Sequence, residues 1–214
     1  MLKKSKLIKI IKEHIRNNFK EYSLVLLIFV VGIFIGVLFI NNISETQREE
    51  ITIYVTDYMN NLKNIEKIDI GELIKYSMLQ NSITAILICF FGTTVIGLPA
   101  VFGIIGYRGF SLGYTISSLV SILGMPKGLI FSIILLFFQN LLFIPAILGL
   151  GVSGIKLYKS IIKDKKRENI KLEIVRHMIF SLVMFSVLMF SSIIEILIST
   201  NILKLIINYF WKFQ

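Results

Sequence analysis

The chain has 214 residues, of which 55% are hydrophobic and 17% are charged, and its mean hydropathy is +0.79. Soluble domains carry about a quarter charged residues, so this composition excludes an ordinary soluble protein. The formal net charge of +10 is concentrated in a few segments, and its distribution predicts how those segments lie relative to a membrane.

Long apolar runs predict an all-α, polytopic integral membrane protein with about five transmembrane helices in a single membrane domain. A bilayer core of about 30 Å needs roughly 20 apolar residues in a helix, because backbone groups must be hydrogen-bonded within the segment. The runs show none of the period-two alternation that is typical of a β-barrel. The predicted crossings are approximately residues 22–43, 78–100, 109–126, 128–155 and 178–203.

The segment before the first crossing, residues 1–21, is basic and amphipathic. Apolar residues recur at helical spacing between its lysines, which is typical of a helix on an anionic membrane surface. The segment is too long and too basic for a signal-peptide n-region, so we expect the first apolar helix to be retained. A nucleic-acid-binding arm is the alternative, but no motif supports it, and we expect no nucleic-acid partner.

An acidic segment, residues 44–75, separates the first two crossings and contains four basic and seven acidic residues, a net charge of −3. Ser44 with Gln47, or Thr46 with Glu49, has the spacing of a capping box. An apolar stripe at spacings of three and four follows, so we expect a helix outside the membrane. The stripe consists of Ile51, Tyr54, Val55, Tyr58, Leu62 and Ile65.

A second basic segment, residues 156–177, contains eight basic and three acidic residues. Lys and Arg are retained in the cytoplasm during insertion, so this segment and residues 1–21 are predicted inside, and residues 44–75 outside. Arg108 would then lie at an inner turn and Lys127 at an outer turn. Five crossings, with the N-terminus inside and the C-terminus outside, satisfy every segment.

Glycine and proline mark places of close packing and of helix interruption. Pro99, with Gly97 before it, lies in a charge-free run that is longer than one straight crossing requires, so the second helix is expected to be bent or broken there. Gly32 and Gly36 form a small-xxx-small pair, which lets helices approach closely. We interpret the glycines as positions of intramolecular packing, with self-association into a homo-oligomer as the alternative. The other recurring glycines are Gly92, Gly103, Gly106, Gly109 and Gly113.

Three polar side chains stand out inside the apolar runs. Gln139 and Asn140 are adjacent amides in the fourth crossing, and we expect them to bond backbone groups freed by Pro99 or Pro145, with a solute-binding pocket as the alternative. Glu195 is the only acid within a crossing. A carboxylate at a helix centre costs about 2.5–3.5 kcal/mol on insertion scales, so either a functional role or a capping role at the interface is expected.

Catalytic and metal-binding patterns are absent from the sequence. It contains no zinc-protease, nucleophile-elbow or phosphate-loop motif. His14 and His177 are the only histidines and do not have the spacing of a metal pair, and the single cysteine, Cys89, is expected to be a buried core thiol. We therefore expect no enzymatic activity, no metal and no cofactor.

Four elements of the sequence, taken in order, resemble the core signature of the stage II sporulation protein M family. They are Asn81, residues 92–99 (GTTVIGLP), residues 108–114 (RGFSLGY) and residues 139–145 (QNLLFIP). Asn18 and Tyr22, followed by Gly32 and Gly36, resemble the start of the same family. One departure is Phe138, which stands where a proline is expected before the Gln-Asn pair.

The resemblance implies a scaffold in the bacterial inner membrane, placed at the division septum during engulfment of the forespore. Members of the family are similar to proteins that recruit and anchor two membrane-bound peptidoglycan hydrolases, stage II sporulation proteins D and P. Membrane lipid and these hydrolases are therefore the expected partners. A small permease or channel subunit of a related membrane family is the alternative, and Gln139, Asn140 and Glu195 would line its path.

The acidic segment offers a candidate surface for such partners. Hydrolases that cut the cell wall have their catalytic domains outside the membrane, and residues 44–75 are predicted to lie there. Tyr54, Tyr58 and Leu62 place aromatic and apolar groups beside acidic ones, as protein–protein interfaces commonly do. Packing of the same stripe on the bilayer or on the chain's own helices is the alternative.

Overall fold

The computed structural model describes residue 9 and residues 12–63, 70–94, 97–163 and 167–210. Within these ranges the chain is almost entirely helical and contains no strand, which confirms the all-α fold class. Residues 12–17 form a short helical segment before the first long helix. The long helices are α1 (Phe19–Asn41), α2 (Glu45–Lys63), α3 (Ile70–Gly92), α4 (Leu98–Leu123), α5 (Met125–Lys163) and α6 (Arg167–Phe210).

Several of these helices have the length and apolarity of membrane spans. Large apolar side chains point away from the bundle, as with Leu27 (59% exposed) and Phe34 (67% exposed) on α1, and lipid is the surrounding that such a surface fits. The chain is a multi-pass membrane protein. Four helical segments within the described residues are long and apolar enough to cross: Phe19–Asn41, Ile70–Gly92, Asn140–Ile162 and Ile170–Ile198, with the shorter apolar segment Met125–Phe137 beside them.

The helix α4 is not among these segments, but it runs back between two of them. Short turns join it to α3 before and to α5 after, so it is antiparallel to both. Its 26 residues span about 39 Å at 1.5 Å per residue, enough to cross a bilayer core. Together with α1, α3, α5 and α6 it forms a bundle of five long helices.

The predicted bounds of the second and third crossings, 78–100 and 109–126, are wrong. The helix α3 already ends at Gly92, the chain turns, and α4 begins at Leu98 with Pro99 in its first turn. Proline fits there because its missing N–H would have no partner within the helix. Of the two predicted outcomes, a bend or a break, the structure has the break, which lies between Gly92 and Leu98. Consequently Arg108, predicted at an inner turn, lies in the interior of α4, and the next turn is at Gly124, whose φ of 80° suits glycine.

The two charged segments are also mainly helical. The expected outer helix is present as α2, and Ser44 and Gln47 form its capping box, with Gln47 N donating to Ser44 Oγ (3.4 Å) and Ser44 N donating to Gln47 Oε1 (3.1 Å). The segment 156–177, predicted as a loop, is mostly helix, because α5 continues to Lys163 and α6 begins at Arg167. Most of the basic residues predicted on the membrane surface before residue 12 lie outside the described residues.

Contacts between helices define the two ends of the bundle. The start of α1 meets the late part of α5 through the ion pair of Glu21 with Lys159 (2.5 Å), and the end of α3 meets the early part of α6. We call this the basic end. The opposite end, which carries α2 and the turn at Gly124, is the α2 end. Between them lies one apolar core built from all five long helices, and its fully buried side chains include Val25, Ile88, Ile105, Ile147, Leu150 and Leu188.

Candidate functional site

The glycines predicted to pack in α1 lie directly against the backbone of α4. A Cβ atom added at Gly32 would overlap the carbonyl oxygen of Gly106, and one added at Gly36 would overlap that of Phe110. Both glycines are buried. Because lipid provides no hydrophobic drive between helices, such close approach allows dense van der Waals packing.

The glycines of α4 complete the same contact from the other side. A Cβ atom at Gly109 would overlap the carbonyl oxygen of Phe29, and one at Gly113 would overlap that of Ile33. Gly103, on the same helix, has no heavy atom within 4 Å of an added Cβ. The backbones of α1 and α4 therefore touch along two turns of helix, and only part of the α4 glycine series takes part.

Two further predicted glycines lie near the basic end. A Cβ atom at Gly92 would come within 2.9 Å of the His177 ring, and Gly154 of α5 lies against the same glycine. At Gly97 a Cβ atom would overlap the carbonyl oxygen of Phe91 within the turn between α3 and α4. All of these are positions inside one chain, where the structure leaves no room for a side chain.

A buried polar network joins α3 to α6 near the middle of the bundle. Asn81, which is 1% exposed, donates from Nδ2 to Ser192 Oγ over 2.8 Å. About one helical turn away, Ser77 Oγ donates to Glu195 Oε2 over 2.9 Å. Asn81 and Glu195, two residues singled out in the sequence for different reasons, therefore belong to one interface.

Arg108 of α4 reaches into the same region. Its Nη2 donates to the Gln80 carbonyl oxygen (3.2 Å) and to Thr84 Oγ1, and its guanidinium lies 5.0 Å from the centre of the Phe143 ring. The ring face attracts the cation. Arg108 and Glu195 both contact α3, at Gln80 and Thr84 and at Ser77 respectively, so one base and one acid lie in this part of the bundle.

Asn140, the described member of the amide pair of α5, does not have the expected partner. Asn140 Nδ2 donates to the Leu136 carbonyl oxygen of its own helix over 2.8 Å. That carbonyl is not the one freed by Pro145, since proline removes the bond to the residue four positions before it, Leu141. The side chain of Gln139 lies outside the described residues, and α5 continues as a helix through Pro145.

His177 was overlooked at the sequence level because it seemed to belong to a basic loop. The His177 side chain is 2% exposed, and it connects α6 to α3 and α5 at the basic end. Its Nε2 lies 3.4 Å from the Cys89 carbonyl oxygen, and its Nδ1 lies 2.8 Å from Ser153 Oγ. A proton on Nε2 satisfies both contacts, because Nδ1 then accepts from the serine hydroxyl. Had the basic segment been predicted as a helix, His177 would have been expected on a helix that packs against α3 and α5.

The candidate partner surface on α2 borders a groove at the α2 end. Val55 is buried against Leu119 and Phe131, so part of the apolar stripe packs on the chain's own helices. Tyr54 is 74% exposed and lies on the rim of a cavity of about 430 Å³ between α2, α4 and α5. We call this cavity the α2 groove; its lining includes Ile51, Tyr54, Tyr114, Thr115, Ser118 and Leu119. The side chains of Tyr58 and Leu62 lie outside the described residues.

The described part of the chain contains no cluster of side chains that could form a metal site. Among those residues no group of three or more His, Cys, Asp or Glu side chains could hold a metal ion. Cys89 is a free thiol of intermediate exposure, so its predicted burial is only partial.

Comparison with known proteins gave one match. A family model described as stage II sporulation protein M matches residues 25–200, which includes all five long helices of the bundle in whole or in large part. Neither the curated proteins nor the solved structures gave a significant match.

Proposed function

Because the chain belongs to the stage II sporulation protein M family, a sporulation-related family of membrane proteins, we propose that it is a membrane scaffold of the engulfment machinery. In this proposal it recruits and anchors the peptidoglycan hydrolases, stage II sporulation proteins D and P, at the division septum. It does not cut peptidoglycan itself. The match over residues 25–200 is the observation that carries the proposal.

The interior of the bundle fits a scaffold better than a permease. Two hydrogen bonds cross the α3–α6 interface, Asn81 to Ser192 and Ser77 to Glu195, so these polar groups hold the helices together. A permease needs such groups to face a path for solute. The α2 groove is lined by other residues.

The α2 groove is the part of the chain best suited to a partner. It combines the open apolar lining described above with the exposed ring of Tyr54, and Glu50 supplies a carboxylate at its edge. Tyrosine and other aromatic residues are enriched at protein interfaces, with polar groups around the rim. We propose that this groove, on the side of the membrane where the hydrolases act, receives part of a hydrolase close to its membrane anchor.

Co-purification tests the proposal directly. The double variant Tyr54→Ala/Tyr58→Ala is expected to recover about tenfold less of both hydrolases from detergent-solubilised sporulating cells, since buried aromatic contacts at interfaces often contribute 2 kcal/mol or more. Tyr76→Ala is the matched control, because Tyr76 is similarly exposed (67%) but lies on α3 and does not line the groove. Membrane abundance of each variant is measured in parallel.

The possible results distinguish an error in the proposed binding surface from an error in the proposed scaffold function. Normal recovery with the double variant, at equal abundance, would move the interface to the lipid-facing helices. If the unaltered chain recovers neither hydrolase, the scaffold proposal itself is wrong.

A further inference from the structure

A second cavity lies at the basic end, between the segment before α1 and the helices α5 and α6. Its volume is about 180 Å³, below the range of about 300–1,000 Å³ that is typical of sites for drug-sized ligands, so it suits a small group. His14 contributes from the segment before α1, Lys156 from α5, and Arg176 and Glu173 from α6. Neither the fold nor the proposed scaffold role requires this cavity.

The walls of the cavity are held by contacts that leave basic groups facing it. His177, which also lines the cavity, hydrogen-bonds Ser153 and the Cys89 carbonyl oxygen, and the His14 ring stacks on Phe180 at 6.0 Å between ring centres. Lys156 is exposed and forms no ion pair within the part of the chain that the structure describes.

Arg176 keeps hydrogen-bonding capacity even though it is paired. Its Nη1 contacts Glu173 Oε1 at 2.7 Å, and a guanidinium has five N–H donors, so further donors remain for a ligand. Burial, and then the nearby Lys156 ammonium, lowers the pKa of His14.

From this geometry we propose that the cavity at the basic end binds the phosphate group of a small anion, through Lys156, Arg176 and His14. A guanidinium and an ammonium are the usual ligands of phosphate in proteins. Two sources supply that chemistry: the headgroup of an anionic phospholipid at the membrane surface, and a free phosphate in solution. The site would make membrane lipid or a soluble phosphate a specific ligand at one end of the bundle.

Binding to the purified full-length protein in a non-ionic detergent tests the proposal. The probes are inorganic phosphate, short-chain phosphatidylglycerol, short-chain phosphatidylcholine and sodium chloride at matched ionic strength. Lys156→Gln/Arg176→Gln is expected to weaken binding at least about tenfold, the loss expected when charged hydrogen bonds are removed. Arg48→Gln/Lys127→Gln removes the same charge outside the cavity and is expected to leave binding unchanged.

A gain of binding provides a readout that a folding defect cannot mimic. Glu173→Gln removes the only acid among the described residues of the lining, so it is expected to tighten binding several-fold by ending the repulsion of the ligand. Binding of both phosphate and phosphatidylglycerol identifies the phosphate group itself as the ligand, and binding of phosphatidylglycerol alone identifies the lipid headgroup. The proposal is overturned if neither probe binds better than phosphatidylcholine or chloride, or if the Lys156/Arg176 variant binds as well as the unaltered chain.

Discussion

Arg108 shows how a single charge is accommodated within a membrane bundle. A charged side chain at mid-membrane is costly and normally pairs with other groups or with backbone carbonyls. Here it has three kinds of partner: the Gln80 carbonyl oxygen, the Thr84 hydroxyl and the Phe143 ring. Glu195 contacts the same helix, α3, through the hydroxyl of Ser77. The guanidinium is therefore part of the packing between α3, α4 and α5.

A double-mutant cycle on Arg108 and Glu195 tests whether the two side chains stabilise each other. We expect Arg108→Leu to lower the free energy of unfolding by about 1–3 kcal/mol, because the buried Gln80 carbonyl oxygen and Thr84 hydroxyl lose a hydrogen-bond donor. The variant Arg108→Leu/Glu195→Leu should lose less than the sum of the single variants, with a coupling of about 1 kcal/mol. Reversible unfolding in mixed micelles gives these values, and Arg48→Leu, on an exposed part of α2, is the control. Strictly additive losses would show that the two charges act independently.

The glycines of α4 do not contribute equally to the contact with α1. Gly109 touches the α1 backbone, whereas Gly103 has no heavy atom within 4 Å of an added Cβ. Gly109→Ala is expected to lower the free energy of unfolding by about 1–3 kcal/mol, as overpacking does, because its Cβ would overlap the Phe29 carbonyl oxygen. Gly103→Ala adds the same methyl group to the same helix where nothing lies within 4 Å, and alanine is the better helix former, so it should be neutral or slightly stabilising. Thermal unfolding in detergent compares the two. Equal effects at both positions would mean that the α1–α4 contact does not limit stability.

At the level of the helix, the sequence was most informative about apolar runs and least informative about helix ends. The uncharged runs predicted that long apolar helices are present, because a helix must be apolar where it is embedded in lipid. The boundary between the second and third crossings was misplaced, because Arg108 was treated as a reason to end a helix. Pro99 was the better signal, since proline favours the first turn of a helix.

The pattern of apolar runs does not predict which helices contact each other when they are distant in the sequence. Gly32 and Gly36 indicated a close approach, but nothing in the sequence named α4 as the partner. Asn81 was noted only for its family resemblance, and its bond to Ser192 depends on how α3 and α6 face each other. Serines in a membrane run are common and individually uninformative, so this interface becomes visible only in three dimensions.

For the whole molecule, charge is separated between the two ends of the bundle. The basic end carries Lys156, Lys159 and Arg176, and the α2 end carries the acidic α2, with Glu49 and Glu50 on its first turns. This separation agrees with the connections between helices, because α1 ends and α3 begins at the α2 end, whereas α5 ends and α6 begins at the basic end. The fold itself does not say which end faces the cytoplasm. Only the retention of Lys and Arg on the cytoplasmic side provides that direction.

We therefore predict that the basic end is cytoplasmic and that α2 and the C-terminus are outside. Cys89 is the single cysteine, so Cys89→Ser gives a background in which one introduced thiol can be followed. In intact cells a membrane-impermeant reagent should label Thr46→Cys, in the exposed first turn of α2, whereas Lys171→Cys, exposed near the start of α6, should react only after lysis. A reporter enzyme that works only outside the cytoplasm should be inactive when it is fused at Lys165. Its activity there would reverse the predicted orientation and would place the α2 groove on the side opposite to the wall hydrolases.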